Sequence, residues 1–406
     1  ESNLQNAVMD RGEAFSGGIK RCGFFVLCRI IKILFNMPFI TQIKSQIRQI
    51  LLFRDIFPVQ KLFSGMLTLP FEYFGNSGRA GLPWVINLLV TSRCNLRCEM
   101  CSFDASKFCL EAEELSADQI TDFISYASKK KFNIFLSGGE PFLREDIFTI
   151  MESIKKRALT FGICTNGTLL NEKKLELLCK NSPEFIIFSL LGDKEVHDSI
   201  TGVPGSFETL VANIKVLVSM RHKIKIFINC PITQHNIHQL PEIAAIADKL
   251  KIYMLRFEHL NFITSQEEQA HFLECQKSFP VDNYRGLSTY RRFTPGANHF
   301  FDAISRMRAM QNSFKTPVHF KPSLEDSEIR SWYSNNCISK RQCFFIWRSL
   351  FILPNGDVVP CQFMVHKMGS IKDDNLDVIW NNQRFRDFRL RLKRRLLPGC
   401  ARCCKL

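Results

Sequence analysis

The chain has 406 residues, 46% of them hydrophobic, and its 54 Lys and Arg outnumber 39 Asp and Glu to give a formal net charge of +15. This length allows two or three domains with a sizeable core, and sixteen cysteines in so long a chain favour metal binding in a reducing compartment over a disulfide-stapled secreted protein. The positive charge would suit anionic lipid or nucleic acid, but the sequence contains no recognition helix or RNA-binding motif, so no specific nucleic acid is expected.

The first 82 residues are predicted to form an apolar, basic and mainly helical extension. Residues 22–35 are strongly apolar but include Arg29 and Lys32, and the run is shorter than the roughly 20 residues that a membrane span needs. Lying in the membrane surface would avoid burying these charges, so peripheral contact with the inner face of the membrane is one expectation. Packing of these helices on the next domain is the alternative. No cleavable signal peptide is predicted.

A cysteine-rich loop follows the first predicted strand of the central region. Residues 84–90 form an apolar stretch that is typical of a buried strand, and Cys94, Cys98 and Cys101 come soon after it. Three thiolates on one short loop suit an iron–sulfur cluster that keeps one iron open to another ligand. A zinc site or buried free thiols are the alternatives.

The next three strands are predicted at 132–141, 159–165 and 184–189, and each ends in a candidate binding turn. The residues at these ends are Gly138, Gly139, Glu140, Pro141, Asn166 and Ser189. The two glycines would allow close approach of the backbone to a ligand, and Glu140 would accept a hydrogen bond from an ammonium group. Ordinary turns that end a strand are the alternative at Asn166 and Ser189.

Helical patterns alternate with these strands, and two more strands are predicted at 223–229 and 252–257. The helices are predicted at 117–130, 144–157, 171–181, 206–220 and 236–250. Six successive βα units over about residues 83–260 predict a parallel sheet with helices outside. Residues 197–207 are expected to shape the structure rather than the chemistry.

Polar residues follow the sixth strand, and a longer segment follows them. Glu258 and His259 are candidates for a general base, although satisfied polar groups are more common at a strand end. Residues 261–336 are predicted to form a helical linker or lid, with helices at 299–314 and 323–334, that would close the pocket.

A second set of cysteines lies in residues 337–406. Cys343 and Cys361 flank two strands joined by Asn355-Gly356, which predicts a β-hairpin. Cys400 and Cys403 follow a basic helical stretch at 384–395. Four thiolates form a full set for one metal centre, with Cys404 a rival for the last position and a zinc ribbon as the alternative.

These motifs, in this order, resemble the radical S-adenosylmethionine (SAM) superfamily with a C-terminal SPASM/twitch extension. The resemblance covers about residues 83–260 and 337–406, and Met100 departs from it by replacing the usual aromatic residue before the third cysteine. It implies an α/β fold with a partial (β/α)6 TIM-like barrel, and a doubly wound open sheet is the alternative.

The resemblance also implies cofactors. One [4Fe–4S] cluster would be held by Cys94, Cys98 and Cys101, with SAM on its open iron. The resemblance places one auxiliary [4Fe–4S] cluster, as in the shorter twitch form, on Cys343, Cys361, Cys400 and Cys403.

By the same resemblance, a set of strand-end residues would contact SAM. These are Gly138, Gly139, Glu140 and Pro141 near the amino group, Ser189 near the ribose or carboxylate, Asn166 in the same pocket, and Arg256 near the carboxylate. A structural salt bridge is the alternative role for Arg256.

The implied activity is reductive cleavage of SAM to a 5′-deoxyadenosyl radical and hydrogen abstraction from a substrate, with the auxiliary cluster aiding oxidation or another radical modification. The electron donor would be a ferredoxin or flavodoxin, and the protein would be cytoplasmic. The apolar N-terminus favours a hydrophobic or membrane-proximal small molecule. Modification of a ribosomally made peptide is the alternative, and a non-catalytic iron–sulfur or zinc scaffold is a third hypothesis.

Overall fold

A ten-stranded sheet organises the protein in our computed structural model, which describes residues 68–75, 77–101, 113–220, 222–279, 284–287 and 289–406. The predictions for the apolar stretches before residue 68 lie outside these residues. The strands are β1 (Val85–Thr91), β2 (Asn133–Gly138), β3 (Phe161–Thr165), β4 (Phe185–Ser189), β5 (Lys225–Ile232), β6 (Met254–His259), β7 (Tyr284–Leu287), β8 (Val318–Lys321), β9 (Ser349–Ile352), β10 (Asp357–Val359), β11 (Met364–His366) and β12 (Gly369–Ser370).

The first six strands pair in chain order and run parallel. Adjacent pairs from β1 to β6 are all parallel, and the order across the whole sheet is β12-β10-β9-β1-β2-β3-β4-β5-β6-β8. This arrangement confirms the predicted α/β class with a parallel sheet. Because every strand from β1 to β6 ends at the same edge, their terminal residues are brought together.

Helices connect the first six strands, and further helices follow β6. They are α1 (Ala117–Lys130), α2 (Ile147–Lys156), α3 (Glu172–Asn181), α4 (Lys194–Thr201), α5 (Ser206–Ser219), α6 (Leu240–Lys249), α7 (Ser265–Ser278), α8 (Ala297–Met310), α9 (Asp326–Trp332), α10 (Leu376–Trp380) and α11 (Gln383–Arg394). The Ser116 side chain caps α1 in a capping box with Gln119, which fixes where this helix begins. Helix α4 is a short addition to the five crossover helices that the sequence predicts.

The segment at 261–336 contains strands as well as helices. Helices α8 and α9 lie where the sequence predicts helices, but β8 pairs in parallel with β6 and extends the sheet beyond the sixth strand. The prediction of a purely helical linker is therefore wrong for this stretch. Four residues just before Pro322 are too short a run for alternation to distinguish a strand from a loop.

The C-terminal hairpin is part of the same sheet. β9 and β10 are antiparallel around the Asn355-Gly356 turn, as predicted, and Gly356 has a φ of 91° that favours glycine. β9 also pairs in parallel with β1, from Val85 opposite Ser349 to Leu88 opposite Ile352. The region that contains the second cysteine set therefore joins the sheet alongside β1.

The described end of the N-terminal extension packs on the C-terminal region. Residues 68–74 are helical, the Glu72 carboxylate lies 2.6 Å from the Arg348 guanidinium, and the Tyr73 hydroxyl donates to Gln342 Oε1 at 2.7 Å. These contacts are with the C-terminal region, so packing of the extension on the domain that directly follows it stays a prediction. Within the described ranges, no helix combines the length and apolar character needed to cross a membrane.

Candidate active site

The three cysteines of the first loop face one cavity at the carboxyl edge of the sheet. Cys94, Cys98 and Cys101 all line this space, which has a volume of about 270 Å³ and is called the upper cavity below. Burial, together with the charges of Cys101 and Cys94, raises the pKa of Cys98 to about 12. The three thiols therefore face the same space.

Helix α4 holds the cysteine loop in place. The backbone N–H groups of Arg97 and Glu99 donate to the carbonyl oxygens of Thr201 and Ile200 at 2.9 and 3.0 Å. The Asp198 carboxylate accepts hydrogen bonds from the turn that joins α4 to α5, including the Gly205 N–H at 2.7 Å. This segment therefore supports the loop, in keeping with the expectation that residues 197–207 shape the structure.

The two glycines at the end of β2, Gly138 as its last residue and Gly139 directly after it, are required by the cysteine loop itself. The N–H of Gly139 donates to the Thr91 carbonyl at 2.9 Å, and a Cβ at Gly139 would lie 2.1 Å from the Arg93 carbonyl oxygen. Gly138 has a φ of 138°, and a Cβ there would lie 2.3 Å from the Thr91 carbonyl oxygen. The sequence suggests that the backbone here approaches a ligand closely. In the structure the close approach is to the backbone of Thr91 and Arg93, and both glycines also line the upper cavity.

Glu140 lies behind the cavity wall. Its carboxylate is fully buried and accepts hydrogen bonds from the Thr165 hydroxyl at 2.7 Å, the Asn166 N–H at 2.7 Å and the Phe142 N–H at 3.1 Å. Burial raises the pKa of Glu140 even though these bonds oppose the rise. Neither Glu140 nor Pro141 is among the residues that line the upper cavity, so their contact with SAM stays a prediction.

Asn166 and Ser189 do line the upper cavity. The Asn166 amide donates to Asn95 Oδ1 at 2.9 Å, which ties the end of β3 to the cysteine loop. Ser189 faces both this cavity and a second one inside the curved sheet.

The second space, called the lumen cavity below, has a volume of about 440 Å³ and is lined by strands β1 to β6, β8 and β9. Several residues line both spaces, among them Ser137, Cys164 and Gln362, so the two cavities are continuous. Arg256 lies in the lumen cavity and its Nε donates to Asn229 Oδ1 at 2.8 Å. Contact between Arg256 and the SAM carboxylate stays a prediction.

Glu258 and His259, the two candidate bases, have different surroundings. Glu258 lines both cavities, and the charges of Lys321, Arg256 and Lys405 lower its pKa although burial acts in the opposite direction. Burial lowers the pKa of His259 to about 3, and its Nδ1 lies 2.8 Å from the Tyr333 hydroxyl. A ring with so low a pKa is neutral at pH 7 and is a weak base.

The four C-terminal cysteines converge next to the cavities. Burial raises the pKa of Cys361 to about 12, with a contribution from Cys343, and burial raises that of Cys400 with contributions from Cys361 and Cys343. Burial also raises the pKa of Cys403, and the charges of Cys404, Cys343 and Cys361 add to the rise. Cys343 and Cys361 therefore each interact with both Cys400 and Cys403.

Cys404 faces a different environment from Cys403. It lines the upper cavity, and its charged neighbours are Lys405, Glu258 and Lys321. Cys404 therefore forms part of the wall of the upper cavity, and Cys403 as the fourth ligand stays a prediction. Gln362 and Phe363, which follow Cys361, line the same wall.

The donor chemistry fits two iron–sulfur clusters. Cys94, Cys98 and Cys101 would hold one, and Cys343, Cys361, Cys400 and Cys403 the other, because each group is made of thiols alone. Cys94 and Cys101 are exposed, whereas the second set is half-buried or buried. In the described part of the chain, no three His, Cys, Asp or Glu side chains are grouped to hold a single metal ion. The fit therefore rests on the thiol sets and on their mutual interactions.

Sequence reasoning identified Arg256 but missed the two lysines of the lumen cavity. Lys321 ends β8, which is too short to recognise, and Lys405 directly follows the cysteines that drew attention to the C-terminal region. The available signal was on β6, where Arg256 and Glu258 are both charged. Residues two apart on a strand face the same side of the sheet, so this pair indicated a charged surface there.

Comparison with known proteins agrees with this geometry. The profile of the radical SAM superfamily matches residues 88–246, and the profile of an iron–sulfur cluster-binding domain, SPASM, matches residues 343–404. An AdoMet-dependent heme synthase of Methanosarcina barkeri is 27% identical over 74% of this chain and 82% of its own length. The antilisterial bacteriocin subtilosin biosynthesis protein AlbA of Bacillus subtilis is 24% identical over 72% of this chain and 58% of its own length.

A solved structure shares the fold. Streptococcus suis SuiB bound to its precursor peptide SuiA superimposes with a TM-score of 0.57 at 16% identity, over 80% of this chain and 70% of that chain. SuiB has also been solved with S-adenosylmethionine bound. The motifs, the two thiol sets and these matches lead to one conclusion. Residues 88–246 match the radical SAM superfamily and residues 343–404 match the SPASM iron–sulfur domain, and the chain is an enzyme that uses S-adenosylmethionine and [4Fe–4S] clusters.

Proposed function

We propose that the protein cleaves SAM reductively to methionine and a 5′-deoxyadenosyl radical, which abstracts a hydrogen atom from an organic substrate held in the lumen cavity. One observation carries this proposal. The upper cavity is lined on one side by Cys94, Cys98 and Cys101 and on the other by Gln362, Phe363 and Cys404, which adjoin the second thiol set. Substrate and SAM would thus share one space between the two cysteine groups.

Held by the two thiol sets, iron–sulfur clusters would supply the electron that cleaves SAM and a nearby acceptor for the electron that the substrate radical loses. The chain's own residues position the reactants. Gly138, Gly139, Asn166 and Ser189 would line the bound SAM, and the lumen residues would hold the substrate beneath it. Loss of one hydrogen atom to form 5′-deoxyadenosine, followed by loss of one electron and one proton, would oxidise the substrate by two electrons.

Anaerobic reconstitution tests this proposal. Protein with assembled clusters, SAM and dithionite should form 5′-deoxyadenosine, and the Cys98→Ser variant should not. The Cys179→Ser variant, which changes a half-buried thiol on α3 outside the cavities, is the matched control. Assembled clusters without any 5′-deoxyadenosine would contradict the proposal.

A small molecule and a peptide side chain are both candidate substrates. The names of AlbA and SuiB support a peptide, and that of the heme synthase supports a small molecule. The lumen cavity of about 440 Å³ favours a group of limited size, which is either a whole small molecule or one side chain. Deuterium transfer into 5′-deoxyadenosine from labelled candidate substrates would distinguish the two classes.

We also propose a ferredoxin or flavodoxin as the electron donor and peripheral membrane contact through the basic, apolar N-terminal extension. The net charge of +15 supports attraction to anionic lipid. Co-sedimentation with vesicles that contain phosphatidylserine should decrease as salt is added, and absence of binding at low salt would contradict the membrane contact.

A further inference from the structure

The side chain of Glu99, in the middle of the first cysteine loop, joins that loop to two other parts of the protein. Its Oε1 accepts a hydrogen bond from the Tyr290 hydroxyl at 2.8 Å, and its Oε2 lies 3.1 Å from His235 Nε2. Glu99 directly follows Cys98, and Met100, the next residue, lines the upper cavity. A contact that fixes Glu99 therefore also fixes neighbouring residues that face the expected SAM site.

Tyr290 is itself held on the wall of the upper cavity. It is only 6% exposed, its backbone N–H donates to the Asn261 carbonyl at 3.4 Å, and its own carbonyl accepts from the Ile263 N–H at 3.0 Å. The Thr289 hydroxyl also donates to the Asn261 carbonyl, at 3.1 Å. Because Asn261 lines the upper cavity, these bonds attach Tyr290 to the stretch that follows β6.

The strand that precedes Tyr290 is attached to the C-terminal region. β7 pairs antiparallel with β11, where Leu287 lies opposite Met364. A Cβ at Gly399 would lie 2.5 Å from Leu287 Cδ2, so Leu287 also packs against the turn before Cys400. Tyr290 therefore reaches the first cysteine loop from a segment that is anchored on the far side of the cavity.

The Tyr290 hydroxyl is the donor in its contact with Glu99. Burial, and after it the hydrogen bond to Glu99, raise the pKa of Tyr290 to about 12, although Arg292 and Gln234 act in the opposite direction. The phenol therefore keeps its proton at pH 7 and donates to the carboxylate, which makes a strong type of hydrogen bond. The Glu99 side chain is 38% exposed, so water can reach it, and loss of this bond should loosen the loop without unfolding the protein.

We propose that Tyr290 is a positioning residue for SAM, which acts through Glu99 by holding the cysteine loop in the arrangement that binds SAM. The apparent affinity for a ligand falls in proportion to the fraction of protein molecules in the binding-competent arrangement. Once SAM is bound, it holds the loop itself, so SAM cleavage at saturating SAM should change little. SAM binding does not depend on the identity of the substrate or on the proposed oxidation.

Equilibrium dialysis of radiolabelled SAM against the cluster-reconstituted full chain tests the role of Tyr290. The measurement is anaerobic and contains no reductant, so that SAM is not cleaved. We expect Tyr290→Phe to bind SAM about three- to tenfold more weakly than wild type. Tyr126→Phe removes a hydroxyl that accepts from the Asp377 N–H outside both cavities, and this matched control should bind SAM as wild type does. Equal affinity of wild type and Tyr290→Phe would overturn the proposal.

A pair of substitutions at Glu99 separates positioning from simple packing. Glu99→Gln keeps an oxygen that can accept from the Tyr290 hydroxyl and should retain most of the SAM affinity, whereas Glu99→Ala should lose at least as much as Tyr290→Phe. The double variant should bind no more weakly than Glu99→Ala alone, because the two residues act through one bond. Additive losses, or equal losses in Glu99→Gln and Glu99→Ala, would refute this role.

The kinetics of SAM cleavage with dithionite give a second readout. Tyr290→Phe should raise the KM for SAM and leave kcat near the wild-type value, because only the binding of SAM is weakened. A fall in kcat with an unchanged KM, or a lower urea midpoint that accounts for the loss of binding, would show a different or purely structural role. If no 5′-deoxyadenosine forms in any variant, the proposed function is contradicted, while the dialysis still decides whether Tyr290 positions the loop.

Discussion

At the scale of single residues, adjacent side chains in this protein have different surroundings. Cys403 and Cys404 both interact with Cys361, but Cys404 also lines the upper cavity near Glu258 and Lys405. The sequence could not decide between them, because Cys403 closes a C-x2-C turn with Cys400 and Cys404 is the very next residue, so spacing alone fits either. Only the direction of each side chain, which the fold sets, separates the two.

Iron content should distinguish the two cysteines. Cys403→Ser is expected to reduce iron from about eight to about four atoms per reconstituted chain, because one of two four-iron centres loses a ligand. Cys404→Ser should keep about eight, and it serves as the matched control. Loss of about four iron atoms in Cys404→Ser alone would show that the ligand assignment is wrong.

Gly139 should tolerate no side chain. In Gly139→Ala, a Cβ 2.1 Å from the Arg93 carbonyl oxygen would push the cysteine loop away from β2, so iron bound by Cys94, Cys98 and Cys101 should fall. Gly296→Ala is the control, since a Cβ there meets its nearest atom at 3.7 Å. Iron and 5′-deoxyadenosine would be measured in both variants, and normal values in Gly139→Ala would contradict this account.

At the scale of elements, the C-terminal helix α11 is attached to the sheet region by a buried arginine. Arg389 has no solvent exposure, and its guanidinium donates to the carbonyl oxygens of Ile346, Gly78 and Trp380 at 3.0, 3.1 and 2.8 Å. It also lies 4.1 Å from the Trp380 ring centre. One side chain therefore joins three separate stretches of the chain.

Replacing Arg389 should destabilise the protein strongly. Arg389→Met leaves three buried carbonyl oxygens without their donor, and we expect the free energy of unfolding to fall by about 3 kcal/mol or more. Urea unfolding would measure the change, with Arg384→Met on the exposed side of the same helix as control. Equal stability of the two variants would refute this role.

Element patterns explain which parts of the fold the sequence predicts. The six strands from β1 to β6 were predictable because each is an apolar run followed by a polar turn and a helical pattern. β8 and α4 were not, since four and eight residues carry little periodic signal. Missing β8 also meant missing Lys321, because a residue cannot be assigned to a cavity before its strand is recognised.

At the scale of the whole molecule, buried histidines should make stability depend on pH. Burial lowers the pKa of His197 and His271 to about 4 and that of His259 to about 3, from 6.5 for a free side chain. Below pH 6.5 the unfolded chain binds protons that the folded chain does not. Stability is therefore fully present above about pH 6.5 and falls as the pH drops toward 4, by up to about 1.4 kcal/mol per pH unit for each histidine.

His197 allows a direct test of this dependence. Its Nδ1 accepts from the Leu191 N–H at 3.1 Å, so His197→Gln keeps an acceptor but cannot be protonated. Urea unfolding between pH 7.5 and 5 should show a shallower loss of stability in this variant than in wild type. His238→Gln, at an exposed position, should keep the wild-type slope, and equal slopes in all three proteins would show that His197 does not contribute.

The pairing of β1 with β9 determines when the sheet can be completed during synthesis. The Ser349 hydroxyl donates to the Val85 carbonyl across 264 residues of sequence. The cysteine loop and β1 to β6 therefore leave the ribosome long before the strand that covers the open edge of β1. An uncovered strand edge can pair with other chains, so a nascent or truncated chain that stops before Ser349 is prone to aggregate.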